Sequence, residues 1–186
     1  DPFEFRINHL DDERAIDLLN DLKMHMEKDN PLENSYRGIA FSRYKNSASY
    51  CAVGVELIVT DNVEIELQRA WITVDAGEIA FKEGIEAQVE GGFIQAASWS
   101  LYEQVDFDNN EILSKDWDNY KIIEFDNIPL IKTSVINRVG YPYLGVGEAV
   151  AGPTGASISN AIRRALGERI TTMPFSQESI KKQLLG

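Results

Sequence analysis

The sequence predicts an α+β fold, with mixed or antiparallel sheet and packed helices. Two observations carry this reading. Four segments show strand character, at 36–44, 50–59, 63–74 and 129–137, and four others show helical spacing, at 11–28, 81–104, 154–166 and 177–185. The two kinds interleave irregularly, without the strict βαβ alternation of a parallel sheet, and no internal repeat or low-complexity tract is visible.

The first helix is DDERAIDLLNDLKMHMEK, where Ala15, Ile16, Leu18, Leu19, Leu22 and Met26 fall at 3/4 spacing. Asp11 is the expected N-cap, with Asp12 and Glu13 at the positive end of the dipole. Asn30-Pro31 ends it, and the polar run 29–35 reads as a short linker between a helical lead-in (1–30) and the main portion (31–186). In YCAVGVELIV, Cys51, Val53, Val55, Leu57 and Val59 alternate onto one apolar face. Asp61-Asn62 is a turn pair, and VEIELQRAWITV returns as the partner strand.

In 81–104, Ile85, Val89, Phe93, Ala96 or Ala97, and Leu101 form one stripe, with Gly84, Gly91 and Gly92 inside it. Each interior glycine costs about 1 kcal/mol against alanine. The Gly91-Gly92 pair therefore points either to close approach of a ligand or to tight helix–sheet packing. VDFDNNEIL (105–113) reads as a hairpin over Asp108-Asn109-Asn110. Thr154 to Leu166 is a helix with Ile158, Ile162, Ala165 and Leu166 inward and Gly167 as C-cap, and Ser176 caps the last helix.

The chain has 186 residues and a formal charge of −12, from 18 basic and 30 acidic groups. A field of that sign repels a phosphate backbone and argues against nucleic acid as a partner. Cys51 is the single cysteine, so the chain has no intrachain disulfide and no four-cysteine iron–sulfur ligand set. His9 and His25 are the only histidines, both in or beside the first helix, and no zinc site or other metal ligand set is predicted on them. No apolar run approaches the length of a membrane span. The chain opens on DPFEFR without Met, which suggests an N-terminus further upstream.

Three constellations are candidates for chemistry. Gly145-Val146-Gly147 starts a G-x-G-x-x-G pattern, but position six is Val150, and the acid at the right spacing, Glu168, follows a helix end rather than a strand. No G-x-S-x-G is present, neither histidine lies near a convincing serine, and carboxylate pairs arise by chance in so acidic a chain. The third is YLGVGEAVAGP (143–153), where the lone acid Glu148 follows Gly145 and Gly147, with no Lys or Arg in the run. The glycines let the backbone turn sharply, and Pro153-Thr154 mark a helix start whose free N–H groups favour anions. Burial there would raise the Glu148 pKa and suit it to general-base work. On the pattern alone, the favoured reading is a Glu in the first helical turn, stabilised by the dipole and facing water.

The ordered series DPFEFRINHLDDERA, RGIAFSRYKNSASYCAVGVELIV, VDAG, QVEGGFIQAASWSLYEQV, DWDNYKI, GVGEAVAGPTGASISNAI and MPFSQESI covers essentially the whole chain. As a set it resembles the C-terminal part of the molybdopterin-binding large subunit of the xanthine dehydrogenase/aldehyde oxidase family, the molybdenum hydroxylases. Within that family it looks most like the isoquinoline 1-oxidoreductase-type branch.

The resemblance implies a C-terminal molybdopterin-binding domain fragment, or one product of a split gene, inactive by itself. It implies hydroxylation of an electron-poor carbon in an N-heterocycle or aldehyde, with water-derived oxygen. Glu148 of GVGE would be the general base, taking the proton of the attacking hydroxyl. Gln88 of Q-x-E-G-G would lie beside the pterin, Gly91 and Gly92 would permit its close approach, and Gly145 and Gly147 would shape the loop at the cofactor. The implied cofactor is molybdenum-molybdopterin in its cytosine dinucleotide form. The implied partners are the remainder of the large subunit, an iron–sulfur small subunit and a small-molecule substrate. After VDAG the run is EIAFKEG, without the Asn-Pro pair its relatives tend to carry. A non-catalytic structural domain or a small-anion-binding domain is the alternative reading. The compartment, cytoplasmic or periplasmic, is left open.

Overall fold

A computed structural model describes residues 1–185. One four-stranded sheet has the order β1 (Ser35–Arg43), β2 (Tyr50–Val59), β3 (Ile65–Asp75), β4 (Leu130–Ile136). β1–β2 and β2–β3 are antiparallel, and β3–β4 is parallel. A parallel neighbour requires a long crossover. The helix α3 (Lys82–Leu101) and the irregular segment after it supply that crossover. The sheet is therefore mixed, and the α+β reading holds.

Helices cover both faces. On one, Phe3 of α1 (Pro2–Ile7) and Leu18, Leu19, Leu22 and Met26 of α2 (Glu13–Glu27) pack on Ile39, Tyr50, Ala52 and Trp71. On the other, Val89 and Phe93 of α3 and Ile158 and Ile162 of α4 (Ala151–Leu166) pack on Cys51, Val53, Val55, Leu57 and Val74. β2 is thus buried on both sides, which explains its almost unbroken apolar run. The single apolar face expected from alternation is half of the actual burial. The other half comes from the even-numbered positions meeting α1 and α2.

One acid lies inside this core. Glu56 of β2 is fully buried, and its Oε1 accepts from Leu32 N at 2.9 Å, Ser35 Oγ at 2.7 Å and Arg37 Nε at 3.2 Å. Its Oε2 lies 3.3 Å from Arg69 Nη1. Burial pushes this carboxyl up, but the hydrogen bonds from Ser35, Leu32 and Arg37 outweigh it and hold the group below the usual range.

Three boundaries depart from expectation. Asp12, not Asp11, caps α2, because its Oδ1 accepts from Arg14 N and Ala15 N while its Oδ2 accepts from the Tyr50 hydroxyl. α4 begins at Ala151, three residues before Thr154. The 105–113 hairpin keeps its turn, in which Asp108 accepts from Asn110 N and Glu111 N, but it forms only one bridge, Phe107 to Ile112. The remaining caps form as read. Gly167 ends α4 in the left-handed region, and Ser176 Oγ accepts from Ser179 N before α5 (Gln177–Leu185). No described helix is long and apolar enough to cross a membrane.

Candidate functional site

The loop from Asn137 to Val150 carries Gly145, Gly147 and Glu148 into α4, and three tethers fix it. Leu144 N donates to Ala76 O at 2.9 Å, and Ser49 Oγ donates to Gly145 O at 2.6 Å. Further back, Arg138 N donates to Gly77 O at 3.0 Å. Gly77 has φ +79°, and a Cβ there would sit 2.0 Å from Pro142 O, so this turn admits only glycine. Asp75 anchors the turn from below. Its buried carboxylate accepts from Gly77 N, from Arg14 through two nitrogens at 2.6 and 3.0 Å, and from Arg138 Nε at 2.9 Å. Burial pushes the Asp75 carboxyl up, but the bonds from Arg14, Gly77 and Arg138 outweigh it and hold it low. The VDAG stretch thereby braces the Glu148 loop, a role its sequence did not announce.

Glu148 itself is exposed, at the wall of a 360 Å³ cavity with Arg43, Tyr44, Lys45 and Trp99. The Tyr44 hydroxyl donates to Glu148 Oε2. That bond, more than any other influence, raises the Tyr44 pKa above its ordinary value. Three expectations need correction here. The chain leaves Glu148 exposed and not buried. The run 143–153 has no cation, but folding brings Arg43 and Lys45 to the same cavity. Arg43 is engaged elsewhere, over the Tyr50 ring and 4.0 Å from Asp12, while Lys45 Nζ sits 5.2 Å from the centroid of the Tyr44 ring. The anion cradle expected at Thr154 is also absent: Thr154 N donates to Val150 O at 3.0 Å and belongs to the first turn of α4.

α3 lies against this loop. A Cβ on Gly92 would meet Val150 Cγ1 at 2.7 Å, so this glycine serves close packing of helix on loop. Gly91 differs: it is exposed, and nothing lies within 4 Å of its missing Cβ. The two readings of the pair thus separate by residue. Gln88 is exposed one turn earlier, and its Oε1 is 3.8 Å from where a Gly147 Cβ would be. Gly145, like Gly91, faces open space. The structure therefore brings Gln88, Gly147 and Glu148 to one surface, bordered by glycines without side chains.

Such a strip fits a flat pterin. The Gln88 amide is uncommitted among the described residues, and the bare backbone at Gly91, Gly145 and Gly147 lets a ring system approach. No group of three or more metal-ligating side chains occurs among the described residues. Tyr44 and Ser49, from the β1–β2 turn, are site residues that the sequence reading missed. Glu148 lies 104 residues from Tyr44, and no local pattern signals such a pairing.

Comparisons with known proteins place the chain in a family. The family described as "Molybdopterin cofactor-binding domain" matches residues 19–129. A nicotinate dehydrogenase subunit of Pseudomonas putida is 32% identical over the whole of this chain, which spans 17% of that protein. The beta subunit of isoquinoline 1-oxidoreductase from Brevundimonas diminuta is 25% identical, covering 94% of this chain and 23% of its own length. Among solved structures, quinoline 2-oxidoreductase from Pseudomonas putida 86 superposes with a TM-score of 0.68 at 20% identity, over 74% of this chain and 19% of that one. Aldehyde oxidoreductase from Desulfovibrio gigas gives 0.63 at 24%, over 74% and 16%. With a family match over most of its length and a relative aligned from end to end, the chain belongs to the molybdenum hydroxylase family as a molybdopterin cofactor-binding domain.

Proposed function

We propose that this chain is part of the large subunit of a molybdenum hydroxylase acting on an N-heterocycle or aldehyde, with Glu148 as the general base. The observation that carries this reading is the exposed Glu148 carboxylate, tethered by Tyr44 and adjoining the open strip of Gln88, Gly91, Gly145 and Gly147. When bound, the molybdopterin supplies the two-electron oxidation and the site at which water-derived oxygen is delivered. Glu148 accepts a proton at Oε1, because Oε2 already takes the Tyr44 hydrogen. Gln88 offers amide donors and an acceptor to the edge of the pterin.

The cofactor is proposed in its cytosine dinucleotide form. One buried cysteine cannot ligate a cluster, so the iron–sulfur clusters that would take up the electrons lie outside this chain, in our reading on a small subunit. The test uses the full-length subunit co-expressed with its small subunit. Molybdenum content and turnover of N-heterocycles and aldehydes are measured for wild type and Glu148→Gln. The variant should retain its metal and lose roughly 10²–10⁴-fold in turnover. Normal turnover by the variant, or a wild type without molybdenum, refutes the assignment.

A further inference from the structure

The arginines of this chain divide into two sets. Arg14, Arg37, Arg43, Arg69 and Arg138 lie within ion-pair distance of Asp or Glu. The other four, Arg6, Arg163, Arg164 and Arg169, make no ion pair among the described residues. All four line one 340 Å³ cavity between α1, α2, the β1 edge and the C-terminal end of α4, and Lys23 joins them there. In a chain of net charge −12, chance alone would not gather every unpaired arginine in one place.

These cations are held in position without being neutralised. β1 is an edge strand, and its outward carbonyls carry the anchors. Arg6 Nη2 donates to Ile39 O at 3.4 Å, and Arg164 Nη1 donates to Arg37 O at 3.2 Å. Arg169 donates to Ser159 Oγ and to Asn160 Oδ1, while Asn160 Nδ2 donates to Ile39 O at 2.9 Å. Every one of these acceptors is a neutral oxygen. Arg6 is half-buried, and desolvation lowers its pKa with no carboxylate to offset it. Two acids also line the cavity, but the Asp1 side chain is spent capping α1, leaving Glu27. Arg163 and Arg164 suit the negative end of α4, and the anchors also protect an exposed sheet edge. Neither role accounts for Lys23, which has no partner in the hydrogen-bond or ion-pair network of the described residues.

The geometry points to a phosphate-binding site in this cavity, with the phosphate held between Arg6 and Arg164. Outward carbonyls two residues apart on a strand are separated by about 6.6–6.8 Å. Guanidinium heads anchored on them can both donate to one tetrahedral oxyanion at about 2.8 Å. The cavity volume suits a small phosphate-bearing molecule, whereas an extended acidic peptide needs a longer track. The site lies toward the opposite end of α4 from Glu148 and does not depend on the reading of Glu148.

The test is calorimetric titration of the full-length subunit, in its complex, with inorganic phosphate, adenosine monophosphate and adenosine. Saturable binding of phosphate or the nucleotide, but not of adenosine, is expected. A tighter nucleotide identifies its source, and equal affinities identify free phosphate. The Arg163 side chain has no hydrogen bond to lose among the described residues, so Arg163→Glu should weaken binding by about tenfold, with only the small fall in melting temperature that reversing a charge at the negative end of α4 brings. Arg6→Ala with Arg164→Ala should abolish it, while Lys115→Ala, a distant surface control, should leave it intact. The proposal fails if no saturable binding appears up to about 10 mM. It also fails if binding survives the Arg6 and Arg164 substitutions, or if polyglutamate binds where phosphate does not.

Discussion

The Tyr44 hydroxyl donates to the Glu148 carboxylate, joining the turn after β1 to the loop before α4. One oxygen of the proposed base is thereby fixed, and the other is left for proton transfer. Without the tether, the carboxylate is free to turn away from its working geometry. Tyr44→Phe in the assembled enzyme should therefore lower kcat by about tenfold. Molybdenum content and KM should stay the same. Steady-state kinetics decides the point, and a change confined to KM would contradict a positioning role.

The neighbouring glycines of α3 should behave in opposite ways. Gly92→Ala forces a Cβ to 2.7 Å from Val150 Cγ1, so helix or loop must shift. The chain should lose about 1–3 kcal/mol, the range for overpacking. Gly91→Ala meets nothing within 4 Å and should gain up to about 1 kcal/mol from helix propensity. If the pterin approaches at Gly91, the same alanine should reduce cofactor occupancy in the full enzyme. Thermal melting and metal analysis of the two variants separate packing from binding.

Much of this was legible in the sequence. The stripes of α2, α3 and α4 are set by 3.6-residue periodicity and appear where the pattern puts them. Gly167 and Ser176 cap their helices because those residues satisfy local geometry. Glu148, Gln88 and Gly147 come from separate stretches that only the family resemblance joins; the fold sets them on one surface, and their roles belong to the proposal. What stayed hidden depends on distant contacts. Asp12 displaces Asp11 as cap while also binding Tyr50, 38 residues away. α4 starts early because Val150 packs on Gly92 and the first turn closes over Pro153. Arg43, at the end of β1, and Lys45, in the turn after it where Lys45 and Asn46 take positive φ, reach the Glu148 cavity only through the fold.

Asp75 predicts an acid limit to stability. Its folded carboxyl is held below the ordinary value, about 3.9 in the unfolded chain. As pH falls the unfolded state binds the proton first. The contribution is full above that value and drains away as pH drops toward the folded pKa. Asp75→Asn leaves Arg14 and Arg138 without their shared acceptor and should cost about 3 kcal/mol at pH 7. Urea unfolding should show the gap between variant and wild type closing below about pH 4.

Glu56→Gln tests the charge inside the sheet. A glutamine can turn its carbonyl oxygen toward Leu32 N, Ser35 Oγ and Arg37 Nε, the three donors that Oε1 serves. Its NH₂ then faces Arg69, donor against donor, where Oε2 now lies 3.3 Å from Nη1. Arg69 is partly exposed and can turn to water, but Arg37 is tied to Met26 O, Asp29 O and the Trp71 ring and cannot leave. Removing one member of a buried ion pair costs about 3–5 kcal/mol. The escape of Arg69 should bring the loss to the lower end, about 3 kcal/mol at pH 7, read as a fall in the denaturant midpoint at constant m-value. Because the Glu56 carboxyl is also held low, the deficit should shrink as pH falls below about 4 and wild type loses the same charge. A deficit that is flat with pH would show that the hydrogen bonds to Oε1, and not the charge, hold this part of the core together.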